Sequence, residues 1–240
     1  VRLNQLQSTL LVSLDQRFAE HICKDGTIVV ELLKAMYGCN ESALLWYEAL
    51  RDTLVSIGMI VNSEDQCVFN MTKYGVQCTI AVYVDDLLVT CKQQSLIDEI
   101  LSKVKSKYPD VKVTSGAQHS YLGVSIDFST RKKVKLTMDG YTRDVLQLYG
   151  VSSRARTPAT ELLFEVRESP ALPESKRMEF HSRVAKLLYL ARRVRPDLLT
   201  AIGFLTTRVQ KPTEDGWSKL QRCLGYLNFE PSLGITLKCT

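Results

Sequence analysis

No two cysteines in this chain stand in the Cys-x-x-Cys spacing, although seven are present, at positions 23, 39, 67, 78, 91, 223 and 239. An odd number without close pairs supports neither a disulfide framework nor a zinc site, and it points to a reducing compartment. Also missing is any apolar run near the roughly 18 residues that a membrane helix needs. The chain opens on no secretory signal and contains no internal repeat or low-complexity tract. Neither sign of charge dominates: the formal net charge is +5, which permits a polyanionic partner without demanding one. What is there is ordinary for a soluble globular protein, with 45% hydrophobic and 24% charged residues. At 240 residues the chain can bury the core of one large domain or two modest ones.

One stretch organises the rest, VQCTIAVYVDDLLVTC from Val76 to Cys91. Val76, Cys78, Ile80, Val82 and Val84 alternate with Gln77, Thr79, Ala81 and Tyr83, the period of a strand with one buried face. Leu87, Leu88 and Val89 are apolar without interruption. The pattern predicts two buried antiparallel strands joined by a tight turn, with Asp85 and Asp86 at the tip. Adjacent carboxylates repel, and desolvation beside apolar strands raises the cost of keeping both ionised. A divalent cation removes that conflict: Mg²⁺ takes hard oxygen ligands, usually one or two carboxylates with phosphates and water, so the tip suits phosphoryl-transfer chemistry. An isolated Asp-Asp is more often a solvated hairpin turn than a metal site, so the context must decide.

In chain order, Leu3, Leu6, Leu10, Leu14 and Phe18 predict an amphipathic helix. A Lys-Asp-Gly turn precedes a β-branched strand from Ile28 to Leu32. Ser42 is placed to cap a helix whose stripe is Ala43, Trp46, Leu50, Leu54 and Ile57, ended by Gly58. Cys67 to Met71 reads as a strand, and Lys73, Tyr74 and Gly75 as the turn into the central hairpin. A helix follows with Leu96, Ile97, Ile100, Leu101 and Val104 inward. Strands at Tyr121 to Phe128 and Val134 to Met138 and a helix from Gly140 to about Tyr149 close a helix-covered antiparallel sheet, an α+β arrangement.

Between Gly150 and Pro173 the chain has three prolines and no sustained periodicity, which marks a linker or draped loop. Everything beyond is expected to be helical. Phe180, Val184, Leu187, Leu188 and Ala191 form one stripe, which sends Arg183, Lys186 and Arg193 to the opposite face, with Glu179 partly offsetting them. Such a basic face is either a solvated surface or a phosphate-contacting one.

Taken together, KAMYG, WYEAL, DQCVF, YVDDLLV, YLGVSI, LLYLARRVRPDLLTAI and LQRCLGYL resemble the reverse transcriptases of copia-type long-terminal-repeat retrotransposons, in family order from about Ile28 to Leu227. The resemblance implies a right-hand polymerase piece lacking the fingers and first palm elements: an antiparallel palm sheet covered by helices, then an all-helical thumb. On this reading 1–149 is partial fingers and palm, 150–176 a linker and 177–240 thumb or connection. Asp85 and Asp86 fall on the catalytic, metal-binding aspartates of the YVDD box, Tyr83 and Val84 on residues under the terminal base pair, and Leu122 and Gly123 on the primer grip. Arg183, Lys186 and Arg193 would face the primer-template duplex.

Two departures accompany the resemblance. The family's first catalytic aspartate belongs to a segment expected before residue 1, and Asp15, at helical spacing, reads as a surface acid rather than a substitute. Glu41 stands where a glutamine near the incoming nucleotide is expected, which puts negative charge beside a triphosphate. The implied function is templated nucleotidyl transfer by a fragment of an RNA-directed DNA polymerase with two Mg²⁺ or Mn²⁺ ions, weakly held here. The alternatives are a non-catalytic primer-template-binding remnant and a functionless decayed copy. Implied partners are an RNA/DNA primer-template duplex, deoxynucleoside triphosphates and an upstream polyprotein segment, with no membrane. The implied setting is a cytoplasmic virus-like particle with passage to the nucleus.

Overall fold

The computed structural model describes all residues except Leu32, Lys34, Tyr37, Cys239 and Thr240 and the side chain of Asn40. The end of the expected 28–32 strand, two residues of the KAMYG block and the last cysteine therefore lie outside the described residues. The chain forms two compact units, Val1–Val111 and Lys112–Thr240. This differs from the boundary at a 150–176 linker, because that stretch is not free chain. Leu163 is buried there, Ala155 N–H donates to the Gly225 carbonyl, and Leu172 N–H donates to the Pro212 carbonyl, so the second unit's own core holds it in place.

The first unit opens with β1 (Arg2–Leu3), α1 (Gln5–Leu14), a 3₁₀ turn at Gln16–His21 and β2 (Ile28–Val29), which pairs with β1. An Asn4–Gln7 capping box starts α1. The periodicity is real, but its expected buried stripe faces solvent: Leu6, Leu10 and Leu14 are 71, 55 and 85% exposed, and Ser8 is the residue turned inward. Next come α2 (Asn40–Ser56), β3 (Ile60–Val61), β4 (Val68–Lys73), β5 (Val76–Tyr83), β6 (Asp86–Cys91) and α3 (Gln94–Lys107). Cys39, not Ser42, is the N-cap of α2, because the helix already begins at Asn40. Gly58 ends this segment at φ +97°, a conformation that costs glycine little.

The four strands form an antiparallel sheet in the order β3-β4-β5-β6. One face carries Phe69, Met71, Cys78, Ile80 and Val82 against Leu50 and Leu54 of α2 and Leu96, Ile100 and Val104 of α3. Both helices back the sheet, as the apolar stripes imply. The hairpin is less central than expected, since β5 is interior but β6 is the edge strand among the described residues.

The second unit contains β7 (Gln118–Tyr121), β8 (Val124–Asp127), β9 (Lys133–Thr137), α4 (Asp139–Leu148), a 3₁₀ turn at Glu161–Phe164, α5 (Glu174–Arg193), a 3₁₀ turn at Pro196–Leu198, α6 (Leu199–Thr206), α7 (Glu214–Phe229) and β10 (Ile235–Lys238). Its sheet runs β10-β9-β8-β7. The C-terminal part is thus not all-helical: β10 pairs with β9, Ile235 opposite Leu136. Gly234 makes that approach feasible, because a Cβ there would lie 2.1 Å from the Leu136 carbonyl oxygen. Around α5 the core gathers Phe180, Val184, Leu187, Leu190, Ala191, Leu198, Ile202, Leu220, Leu224 and Leu227.

Candidate active site at the aspartate hairpin

Strands β5 and β6 pair with Tyr83 opposite Asp86, which leaves Val84 and Asp85 as a two-residue turn. Asp85 is therefore at the tip, and Asp86 is the first residue of β6. Both residues are exposed to water rather than buried beside the apolar flanks. Among the described residues neither has an ion pair or side-chain hydrogen bond. Tyr83 and Val84 are exposed beside them, at 57 and 56%.

Val84 adopts φ +53°, which a β-branched residue strongly disfavours and which the tight turn imposes. The tip is secured from α2: the Trp46 indole N–H donates to the Val84 carbonyl at 2.7 Å. Trp46 is itself held edge-on to Tyr108, ring centroids 5.3 Å apart. Its sequence signal was the WYEAL block, yet nothing in the spacing shows that its N–H reaches the turn. Glu41 is exposed in the first turn of α2, where an acid suits the helix dipole. It lies five residues before Trp46, about 7.5 Å along the helix axis. Asp15 accepts from the backbone and guanidinium of Arg17, so it serves as a local cap and ion-pair partner.

The remaining candidate residues belong to the second unit. Leu122 and Gly123 do not start a strand. They form the turn between β7 and β8, both with positive φ, +52° and +77°, as a two-residue hairpin of this hand requires. Arg183 is not on a solvated face. Its side chain is 9% exposed, it pairs with Glu179, and its guanidinium lies 4.3 Å from the Tyr149 ring centroid and 4.8 Å from that of Trp217. The reason is position: Arg183 sits at the flank of the apolar stripe, where α4 brings Tyr149 and α7 brings Trp217. Lys186 is half-buried and its carbonyl accepts from the Tyr141 hydroxyl. Arg193 is exposed and stacks on Tyr189 at 3.6 Å.

Sequence reading passed over Arg195, which is 1% exposed. It donates to both oxygens of Asp197 and to the Glu230 carbonyl. Burial pushes the Asp197 carboxyl up, but hydrogen bonds from Arg195 and Tyr226 outweigh it and hold the group below the usual carboxylate range. Among the described residues no group of three or more His, Cys, Asp or Glu is placed to hold a metal ion, and no helix is long and apolar enough to cross a membrane.

A family model for reverse transcriptase (RNA-dependent DNA polymerase) matches residues 6–161, a span that includes the exposed, unpaired carboxylates of the pinned hairpin. The chain belongs to this family. Within it, the domain is of the copia type found in retrotransposon Pol polyproteins. It is 30% identical to the retrovirus-related Pol polyprotein from transposon RE2 of Arabidopsis thaliana over 88% of this chain. It is 27% identical to the putative transposon Ty5-1 protein of Saccharomyces cerevisiae and 26% identical to the retrovirus-related Pol polyprotein from transposon TNT 1-94 of Nicotiana tabacum, each over 83% of this chain. The chain spans 14, 64 and 16% of those three relatives' lengths. No solved structure matches it.

Proposed function

We propose that the β5–β6 hairpin supplies two carboxylates of a templated nucleotidyl-transfer site, with the first unit serving as palm and the helices of the second as thumb. The observation that carries this reading is the tip itself, where Asp85 and Asp86 are exposed and unpaired beside a strained Val84 fixed by Trp46. Backbone strain persists where surrounding contacts over-determine it, and it gathers at functional sites.

The donor set fits Mg²⁺, which is usually held by one or two protein carboxylates and keeps waters and phosphate oxygens for the rest. Asp85 and Asp86 would hold it. Bound there, the ion would supply positive charge to offset the negative charge that builds on phosphate oxygens during nucleotidyl transfer. Tyr83 and Val84 present an exposed apolar shelf for the terminal base pair. Leu122 and Gly123 form a turn suited to backbone contact with the primer. Lys186 and Arg193 offer cations to the duplex, whereas Arg183 is committed to Glu179 and two aromatic rings and takes no part. Glu41 keeps a negative charge near the nucleotide position, an arrangement that disfavours the triphosphate.

A second reading, a primer-template-binding module without chemistry, is favoured by one observation: among the described residues no third acidic side chain joins the pair. Mn²⁺ titration followed by NMR tests the shared premise. Paramagnetic broadening is expected at Val84 to Leu87 and is expected to vanish in Asp85→Asn with Asp86→Asn. Broadening elsewhere, or none, rejects the site. Primer extension on an RNA template that Asp85→Asn abolishes selects the enzyme, while duplex binding without extension selects the module.

A further inference from the structure

At the end of the hairpin away from the aspartates, Cys78 of β5 stands directly opposite Cys91 of β6. Antiparallel rungs alternate between hydrogen-bonded pairs and non-hydrogen-bonded pairs, and the latter bring Cα atoms to about 4.5 Å. The kind of rung can be counted in two independent ways. From the two-residue turn outward, Tyr83–Asp86 is hydrogen-bonded, so the fifth rung beyond it, Cys78–Cys91, is not. From the other side of β5, Val82 N–H donates to the Cys67 carbonyl of the segment leading into β4. Val82 and every second residue back to Cys78 therefore direct their backbone groups to β4, leaving non-hydrogen-bonded rungs toward β6.

Such a rung falls within the Cα separation of a disulfide, about 4.4–6.8 Å. Both side chains lie on the face that packs on the core. Both are free thiols. We propose that Cys78 and Cys91 form a reversible cross-strand disulfide, a redox modification site that closes the open end of the aspartate hairpin.

The chemistry assigns an order. Cys78 is fully buried, and burial pushes its thiol up to about 11, so it is the poorer first nucleophile. Cys91 is partly exposed on the edge strand, and its Sγ accepts from the Gln93 N–H at 3.4 Å. The oxidant is a low-molecular-weight disulfide, RSSR. The Cys91 thiolate attacks one of its sulfurs, the S–S bond breaks, and RS⁻ leaves to be protonated as RSH. Cys78 then loses its proton and attacks the Cys91 sulfur of the mixed disulfide, releasing a second RSH. Two protein thiols are oxidised and one RSSR is reduced to two RSH.

The test treats the full folded chain with oxidised glutathione, blocks the remaining thiols with N-ethylmaleimide, and maps peptides without reduction. A Cys78–Cys91 linked peptide is expected as the dominant intramolecular disulfide, reversed by dithiothreitol, with slower amide exchange across Ile80 to Val89. In Cys78→Ala the glutathione adduct on Cys91 is expected to persist, because nothing resolves it. Should that variant fail to fold, the wild-type map decides alone. Cys91 found only as a glutathione adduct in the wild type, or linked to Cys23 or Cys67 as readily as to Cys78, overturns the proposal.

Discussion

The two units handle charge in opposite ways. In the first, Asp85 and Asp86 stand exposed and unpaired on a turn that α2 holds in place. In the second, two arginines are consumed by the fold: Arg183, which its helical spacing placed on the outer face, by Glu179, Tyr149 and Trp217, and Arg195 by Asp197 and Glu230. A free carboxylate pair on a rigid mount is an invitation to a cation, whereas a buried guanidinium with a full set of acceptors is a structural strut. Counting like charges along a helix face does not separate the two cases. Only their surroundings do.

The comparison breaks first at Arg195. Arg195→Ala takes a buried guanidinium from the Glu230 carbonyl and from Asp197, which is partly exposed and keeps Tyr226, so a loss of about 2 kcal/mol is expected, measurable by urea unfolding. The pH dependence follows from sign. Asp197 is depressed in the folded state, so its contribution is complete above the unfolded value of about 4 and is lost as pH falls through the lower folded value. The wild type is expected to weaken along this limb in acid, and Arg195→Ala to show a flatter one. An Arg195→Ala variant as stable as the wild type would make Arg195 as dispensable as a surface cation.

A smaller effect belongs to the hairpin mount. Trp46→Phe keeps a ring but removes the donor to Val84, and a hydrogen bond of this kind is worth about 1 kcal/mol at most in so exposed a place. Hydrogen exchange at Val84 and Asp85 is expected to quicken. Val84→Gly runs the other way, relieving the +53° φ at some entropic expense, so a change within about 1 kcal/mol in either direction is expected, with a more mobile tip. If neither substitution alters exchange at the turn, the mount is not what orders it.

Much of the first unit was readable in advance, because alternation from Val76 to Val82 and a polar break encode a hairpin locally. Helices α2 and α3 were readable for the same reason, their stripes being complete within themselves. What escaped depended on partners distant in sequence. Arg183 is buried by Tyr149 and Trp217, each 34 residues away, and no property of α5 alone announces them. Strand β7 escaped because Gln118, His119 and Ser120 are polar, and the Leu122–Gly123 turn because leucine is not a turn former. The exposed stripe of α1 has the period of a buried face, and periodicity does not report whether a neighbour is present. The tip aspartates could be located from sequence, but their exposure could not.

The finest test concerns Lys186 and Arg193, the cations of this face that are not buried. Replacing Lys186 and Arg193 by Ala is expected to weaken primer-template binding modestly and to flatten its logarithmic dependence on salt, by roughly one in slope for each phosphate that is no longer neutralised. Arg183→Ala should destabilise the unit without changing that slope. A slope that responds to Arg183 instead would reverse the assignment of strut and phosphate ligand. Millimolar Mg²⁺ is the gentlest probe: with two carboxylates as ligands, little change in melting temperature is expected by calorimetry.

The bond from Trp46 to the Val84 carbonyl also gives the protein a built-in optical gauge. The chain has two tryptophans, and the other, Trp217, lies in the second unit against Arg183. Trp217→Phe would leave a single indole whose N–H is tied to the turn that carries Asp85. Its emission would then register whatever loosens, stiffens or loads that turn, without a label attached anywhere near it.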